Sequence, residues 1–310
     1  MTIRTKSEVL SKHNPHYRAR LRRDKLVAGA LFAIALSAIA ITIAIAVILL
    51  RESFVFFEQV SIVDFLTDTM WTPLFYEPRY GIMPLLSGTL LSSAVAIAFA
   101  LPIGLIVAVY LSEFAPIRVR ETVKPILELL VSVPTVVFGY FALFFVTPLL
   151  QQTLFPNLPS FNVLSAGIVI GVMIIPYISS LSEDAMRAVP MALREGSLAL
   201  GANRVQTALK VVFPAAASGI IAAIILAVSR AVGETMVVAI AAGQQPNLTI
   251  DPTEQAATIT AYIVQVAMGD LPHGSIGYQS IFAAGLTLFV ITMAFNILAA
   301  IMRRKFREEY

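Results

Sequence analysis

The stretch Arg194-Glu195-Gly196-Ser197-Leu198-Ala199-Leu200-Gly201, running through Ala202 to Phe213-Pro214, is a polar and basic island between two long apolar runs. Pro190 is placed to start a short helix on which Glu195, Leu198 and Ala199 share a face, and Gly201 permits a sharp turn behind it. Pro214 opens the next apolar run. A chain otherwise built for lipid has little reason to order such a loop unless another protein grips it. A short helix laid into a partner's groove is a recurrent recognition mode. Arg194, Glu195, Gly196, Leu198, Gly201 and Ala202 are the candidate contact residues, and the competing reading is a solvated connecting loop.

Outside this loop the composition is that of a lipid-embedded chain. Apolar residues make up 58% of the 310 positions and charged residues 13%, with a mean hydropathy of +0.82; soluble domains carry about 25% charged residues. A membrane-spanning helix needs about 20 mostly apolar residues. Six segments qualify: Leu26–Leu50, Leu85–Leu111, Ile126–Leu150, Leu164–Leu181, Ala215–Ala242 and Ile281–Met302. The expected fold is therefore an all-α membrane protein with six transmembrane helices. The first run is far longer than the 7–15-residue apolar core of a secretory signal, which makes it an uncleaved anchor.

Several chemistries are excluded by residue type. The chain has no cysteine, and His13, His16 and His273 lie outside the apolar runs, so neither thiolate nor histidine-cluster metal sites are expected. No Gly-Lys-Ser/Thr phosphate loop is present, so a nucleotide that drives this protein binds on another chain. An intramembrane enzyme would need a nucleophile with a base or a metal cluster, and the apolar runs offer serines without histidine or cysteine. No low-complexity segment or internal repeat is visible.

Orientation follows from lysine and arginine outside the spans. They cluster in the N-terminal tail 1–25 (Arg4, Lys6, Lys12, Arg18, Arg20, Arg22, Arg23, Lys25), around Arg118, Arg120 and Lys124, in the loop 188–214 with neighbouring Arg187, and in the tail 303–310. The opposite loops hold only Arg51 and Arg79, against the acids Glu52, Glu58, Asp64, Asp68, Glu77, Asp251, Glu254 and Asp270. Both termini are thus expected in the cytoplasm, flanking a six-span body at 26–302. An acidic outer face suits an anion handed over by a docked carrier, though keeping bases inside produces the same bias. The long outer loop 51–84 carries Phe54-Val55-Phe56-Phe57 and Trp71-Thr72-Pro73-Leu74-Phe75. These are expected as an aromatic belt at the membrane interface, with a docking surface as the alternative.

One base lies inside a span. Arg230 and Glu234, in Ser229-Arg230-Ala231-Val232-Gly233-Glu234-Thr235-Met236, are four positions apart and can pair on one helix face. An arginine at mid-bilayer costs about 2.5–3.5 kcal/mol on insertion scales and usually faces a bundle interior or an aqueous path. Its planar donor fork matches a tetrahedral oxyanion two bonds at a time. The expectation is that Glu234 holds Arg230 until a passing oxyanion competes for it, with Ser229 and Thr235 adding hydroxyls. A buried pair that only fixes packing is the alternative. In Ser132-Val133-Pro134-Thr135-Val136-Val137-Phe138-Gly139 the proline removes a helix hydrogen bond. A kink is the plainer reading; a cavity-lining break would make Thr135 a pathway hydroxyl. Pro102 and Pro176 invite the same two readings.

The cytoplasmic loop resembles the signature of ABC-importer permeases: Glu-Ala-Ala, three residues, Gly, nine residues, Ile, one residue, Leu-Pro. Glu195, Gly201, Val211, Phe213 and Pro214 fall on its positions, while Gly196 and Ser197 replace the usual alanines. Tyr80-Gly81-Ile82-Met83-Pro84-Leu85-Leu86-Ser87-Gly88-Thr89-Leu90, Tyr110-Leu111-Ser112-Glu113-Phe114-Ala115-Pro116, and Lys124-Pro125 through Glu128-Leu129-Leu130 are similar to segments of phosphate-importer permeases. So are the segments around Pro134 and Arg230, with Thr135 and Phe138 in place of the commoner Ser and Tyr. The likeness covers about residues 70–302, and the long first outer loop and Ser112–Pro116 favour the PstC-type subunit over its PstA-type partner.

The resemblance implies an ABC importer permease fold paired with a second, homologous permease. It further implies two ATP-binding subunits that hold ATP and magnesium, an external phosphate-binding protein, phosphate as cargo, surrounding membrane lipid and no nucleic acid. This chain itself would need no cofactor and catalyse no reaction. Sister importers of sulfate or molybdate, and a secondary anion transporter, are the competing functions; the secondary transporter would not need Glu195–Gly201 to touch an ATPase.

Overall fold

The computed structural model describes the backbone of residues 15–73 and 75–305, with their side chains except at 15–22, 270 and 303–305. The side chains of the tail bases other than Arg23 and Lys25, and Leu74 of the outer loop, lie outside the described residues. Two compact units result, Met1–Glu52 and Ser53–Tyr310. The first consists, where described, of the greater part of α1 (Pro15–Phe57). The second contains α2 (Ile62–Thr67), α3 (Met83–Val109), α4 (Ile117–Val131), α5 (Thr135–Thr153), α6 (Val163–Arg187), α7 (Met191–Ala199), α8 (Arg204–Ala215), α9 (Ala217–Val232), α10 (Met236–Ala241), α11 (Ile259–Gln265) and α12 (Ile276–Lys305).

Five helices are long and apolar enough to cross a membrane: Arg23–Phe57, Met83–Phe114, Thr135–Thr153, Val163–Arg187 and Ile276–Met302. The sixth crossing is a broken one, α8 and α9, bent by 73°. The expected all-helical architecture is therefore present. Two expected spans have different limits. Ile126–Val131 belongs not to the third span but to α4, none of whose residues is buried. Pro134 has no N–H and pushes Val133 out of helical conformation, so the chain breaks fully rather than kinking, and the span starts at Thr135. The fifth span divides twice, at Ala216 and again at Gly233–Thr235, where the short α10 begins. Pro102 and Pro176 remain inside intact helices.

The bundle is organised around α3 and α6. Gly88, Ser92, Ala96, Ala100, Gly104 and Ala108 recur every fourth position on α3, and all are buried. Within lipid, helices gain little from apolar burial, and close backbone approach along small residues drives their packing instead. Gly167 lies against Val95, Gly171 against Ala96 and Phe99, and Gly104 against Ile178. The contacts advance together along both helices, so α3 and α6 run parallel, which requires one crossing (α5) between them.

The loop 51–84 differs from the expected belt. Phe56, Phe65, Trp71 and Tyr80 are buried, and among the described residues of the two quoted aromatic runs only Phe54 and Phe75 stand strongly exposed. Phe56 meets Phe65 and Tyr80 edge-on at ring separations of 5.9 and 5.3 Å, and Trp71 meets Tyr262 at 4.9 Å. Edge-to-face pairs of this kind add about 0.5–1.5 kcal/mol each beyond their burial. A bridge between Trp71 and Tyr80 closes the loop, and an Asp68–Arg79 ion pair of 2.8 Å lies on it. The aromatics join a core with Leu85 of α3, Ile259 and Tyr262 of α11 and Ile281 of α12.

Candidate functional site

Arg230 occupies the last turn of α9, and Glu234 lies in the break behind it. The two are brought together, Arg230 Nη1 to Glu234 Oε2 at 3.3 Å, although no continuous helix carries both. Their burial is unequal: the Glu234 side chain is 2% exposed and that of Arg230 37%. Glu234 Oε1 accepts the N–H groups of Met236 (3.2 Å) and Val237 (3.3 Å), so the carboxylate caps the first turn of α10. Glu234 Oε2 has charge beside it but no aligned hydrogen-bond donor. The 3.3 Å separation is thus an attraction between charges rather than a directed bond.

The break is held from outside. Thr260 donates to the Glu234 carbonyl at 2.7 Å, and its hydroxyl lies 3.1 Å from that of Thr258. Thr89 on α3 accepts the Ile259 N–H at 3.0 Å and donates to the Leu85 carbonyl. A Cβ on Gly88 would stand 2.3 Å from the Ala257 carbonyl oxygen, so only glycine lets this segment lie so close to α3. These supports come from the stretch 243–265, which returns into the bundle after α10.

The other expected pathway residues take separate places. Ser229 Oγ is buried without a hydrogen-bond partner. Thr235 donates to the Gly233 carbonyl at 3.2 Å. Thr135 starts α5, whose Gly139 packs on Met236 and Ile240 of α10. Among the described residues no hydrogen bond joins Thr135 to the Arg230–Glu234 pair.

In the loop 188–214, α7 starts after Pro190 and ends at Gly201, whose φ of +87° is the left-handed conformation that favours glycine. Gly201 N–H bonds the Leu198 carbonyl (3.0 Å) and Ala202 N–H the Ser197 carbonyl (3.2 Å), closing a Schellman turn. Glu195, Gly196, Leu198 and Gly201 are exposed, Ala202 half-buried. Leu200 is 91% exposed and adds to this face, which the spacing of Glu195, Leu198 and Ala199 had not included. A groove of about 650 Å³ runs beside it, lined by Gly196, Ser197, Gly201, Ala202 and Gln206 among others.

Arg194 faces the other way. Its Nη2 and Nε reach Glu113 at 2.9 and 3.3 Å, and its Nη1 and Nη2 donate to the carbonyls of Val189 (2.6 Å) and Met186 (2.8 Å). A second cluster lies nearby in kind: Lys124 Nζ binds Glu183 at 2.7 Å and Asp184 at 2.5 Å, tying α4 to the end of α6. Glu113 and Lys124 stood in the quoted family segments, but nothing in the chain order pairs them with residues 81 and 59 positions away.

Residues 100–308 match the family described as binding-protein-dependent transport system inner membrane component. The chain belongs to that family. It is a multi-pass inner-membrane permease component of an ABC importer. The probable ABC transporter permease protein YqgH of Bacillus subtilis is 37% identical over 274 residues, covering 88% of this chain and 87% of the relative. The phosphate transport system permease protein PstC of Mesorhizobium japonicum is 32% identical over 260 residues, 77% of each chain. Among solved structures, a bacterial ABC transporter importing the acidic polysaccharide alginate superposes with a TM-score of 0.62 at 18% identity, over 93% of this permease and 100% of that chain. The MetNI methionine transporter in inward-facing conformations gives 0.54 at 19% identity, over 74% and 95%. At these identities the likeness establishes the fold alone.

Proposed function

We propose that this permease is the PstC-type subunit of an ATP-driven importer of inorganic phosphate. The observation that carries the reading is the half-exposed Arg230 guanidinium beside a buried Glu234 whose Oε2 lacks an aligned donor. The loose pairing leaves the guanidinium fork free to take two oxyanion bonds at little loss. Phosphate differs from sulfate in still carrying a proton near neutral pH, and Glu234 Oε2 is an acceptor for it. Ser229, Thr235 and Thr135 are the further pathway hydroxyls in this reading. Relatives named as phosphate permeases support the cargo, and sulfate or molybdate is the alternative.

In this account both termini are cytoplasmic, with 1–25 and 303–310 as basic tails on the 26–302 body. The exposed face of α7, with Glu195, Gly196, Leu198, Gly201 and Ala202, seats in one of two ATP-binding subunits, which hold the ATP and magnesium. A PstA-type permease completes the membrane part, and an external binding protein delivers phosphate. The chain binds and moves cargo but catalyses no reaction. ATP drives the cycle only through its different affinity for outward- and inward-open arrangements.

The test is uptake of labelled phosphate and labelled sulfate, at micromolar concentration, in cells lacking the chain and in cells complemented with wild type or Arg230→Gln. Selective phosphate loss, restored by wild type and not by the variant at equal membrane level, is the expected result. Loss of sulfate uptake would move the protein to a sister importer. Normal phosphate uptake with Arg230→Gln would remove the pair from the pathway.

A further inference from the structure

The exposed helix α7 is joined to the spans by contacts of two kinds. Leu193 packs into an apolar cluster with Ala108, Met186, Val189, Val212 and Ile220, and Ser197 meets the Thr207 hydroxyl at 2.9 Å on α8, the element that follows it. Apolar packing of this sort permits sliding, since dispersion has no preferred direction. Arg194 is different. It binds Glu113 through two nitrogens, and the two side chains are only 14% and 11% exposed. A bidentate guanidinium–carboxylate pair has a defined plane and direction. The same guanidinium donates to Met186 on the last turn of α6 and to Val189 just beyond it.

Glu113 stands in the π-helical turn Tyr110–Phe114, directly continuing α3. Because α3 packs along α6 through its small-residue stripe, one guanidinium contacts the ends of both central spans.

We infer that Arg194 and Glu113 form the joint that transmits movement of α7 to the ends of α3 and α6. Arg194 is thus a positioning residue acting inward, while its neighbours Glu195, Leu198 and Leu200 face the ATPase. The inference rests on the proposed reading of 188–214 as the ATPase-facing loop.

The test uses the full importer reconstituted in liposomes and compares wild type, Glu113→Gln, and the pair Glu113→Cys with Arg194→Cys. The chain has no cysteine of its own, so with cysteine-free partners the pair can be bridged by a short bifunctional thiol reagent. Phosphate moved per ATP hydrolysed is expected to fall about ten-fold or more in Glu113→Gln and in the unbridged pair, the scale of a site-to-site coupling. Bridging is expected to restore the ratio, a recovery that mere loss of stability would not give. A wild-type ratio in assembled Glu113→Gln, or a bridged pair that assembles yet stays uncoupled, would overturn the joint. If Glu113→Gln fails to assemble, the pair bridged in the membrane before extraction decides by the same ratio. A wild-type complex that hydrolyses ATP and moves no phosphate would instead refute the proposed cargo.

Discussion

Two arginine–glutamate pairs in this permease are built to different standards. Arg194 meets Glu113 through two nitrogens and places two further N–H donors on the Met186 and Val189 carbonyls, with both side chains largely buried. Arg230 approaches Glu234 through one nitrogen at 3.3 Å and stays 37% exposed, while Glu234 uses its better-placed oxygen to cap α10. A guanidinium with four of its five N–H donors bonded has little left for a ligand and serves as a fastener. A loosely held one keeps its donors available, and the partner carboxylate has a structural task that survives when the arginine lets go. The same residue types thus give a joint in one place and a candidate binding group in the other, and geometry decides which.

The largest effect should come from breaking the tight pair. Arg194→Ala leaves Glu113 buried without its partner, and losing one member of a buried pair costs about 3–5 kcal/mol. A clearly lowered melting temperature of the purified importer is expected; a melting curve matching wild type would mean that the pair is solvated in the membrane. Next comes the loose pair. Arg230→Gln is expected to lower phosphate uptake about 100-fold, roughly 2.8 kcal/mol at 1.4 kcal/mol per tenfold, with thermal stability little changed. A stability loss as large as that of Arg194→Ala would erase the contrast between the two pairs.

Gly88→Ala probes the support of the break. Its Cβ would meet the Ala257 carbonyl at 2.3 Å, which backbone must move to relieve, and overpacking typically costs about 1–3 kcal/mol. Reduced melting temperature and reduced uptake together are expected; full uptake would show that Glu234 does not depend on the 243–265 stretch. The smallest effect is Thr260→Val. It removes the 2.7 Å bond to the Glu234 carbonyl, a neutral bond worth about 1 kcal/mol. Uptake is expected to fall several-fold while the Arg194–Glu113 joint keeps its coupling ratio.

Much of this architecture could be read along the chain. The number of crossings follows from apolar run length, because lipid leaves backbone groups no partner outside a helix. Pro190 and Gly201 bracket α7 as their backbone preferences require. The four-residue recurrence of small residues from Ser92 to Ala108 was equally open to inspection and marks the α3–α6 contact, although hydropathy alone passes over it. The proximity of Arg230 and Glu234 was legible from their spacing, but for the wrong reason: the helix ends between them, and the turn that follows still brings them together.

Other features had no local signal. Phe56 and Trp71 read as part of an interface belt, yet they turn inward because Phe56, Phe65, Trp71 and Tyr80 pack edge-on among themselves and Trp71 meets Tyr262, nearly two hundred positions away. Arg194 read as part of the exposed contact face, and its partner Glu113 became evident only when α3 and α6 ended beside it. Periodicity, run length and backbone preference act over a few residues, so the chain by itself determined the crossings, the short exposed helix α7 and its glycine stop. Ion pairs and hydroxyl supports depend on which distant segments share a few cubic ångströms of interior. Only the tertiary structure decided which arginine is fastened and which is left with donors to spare.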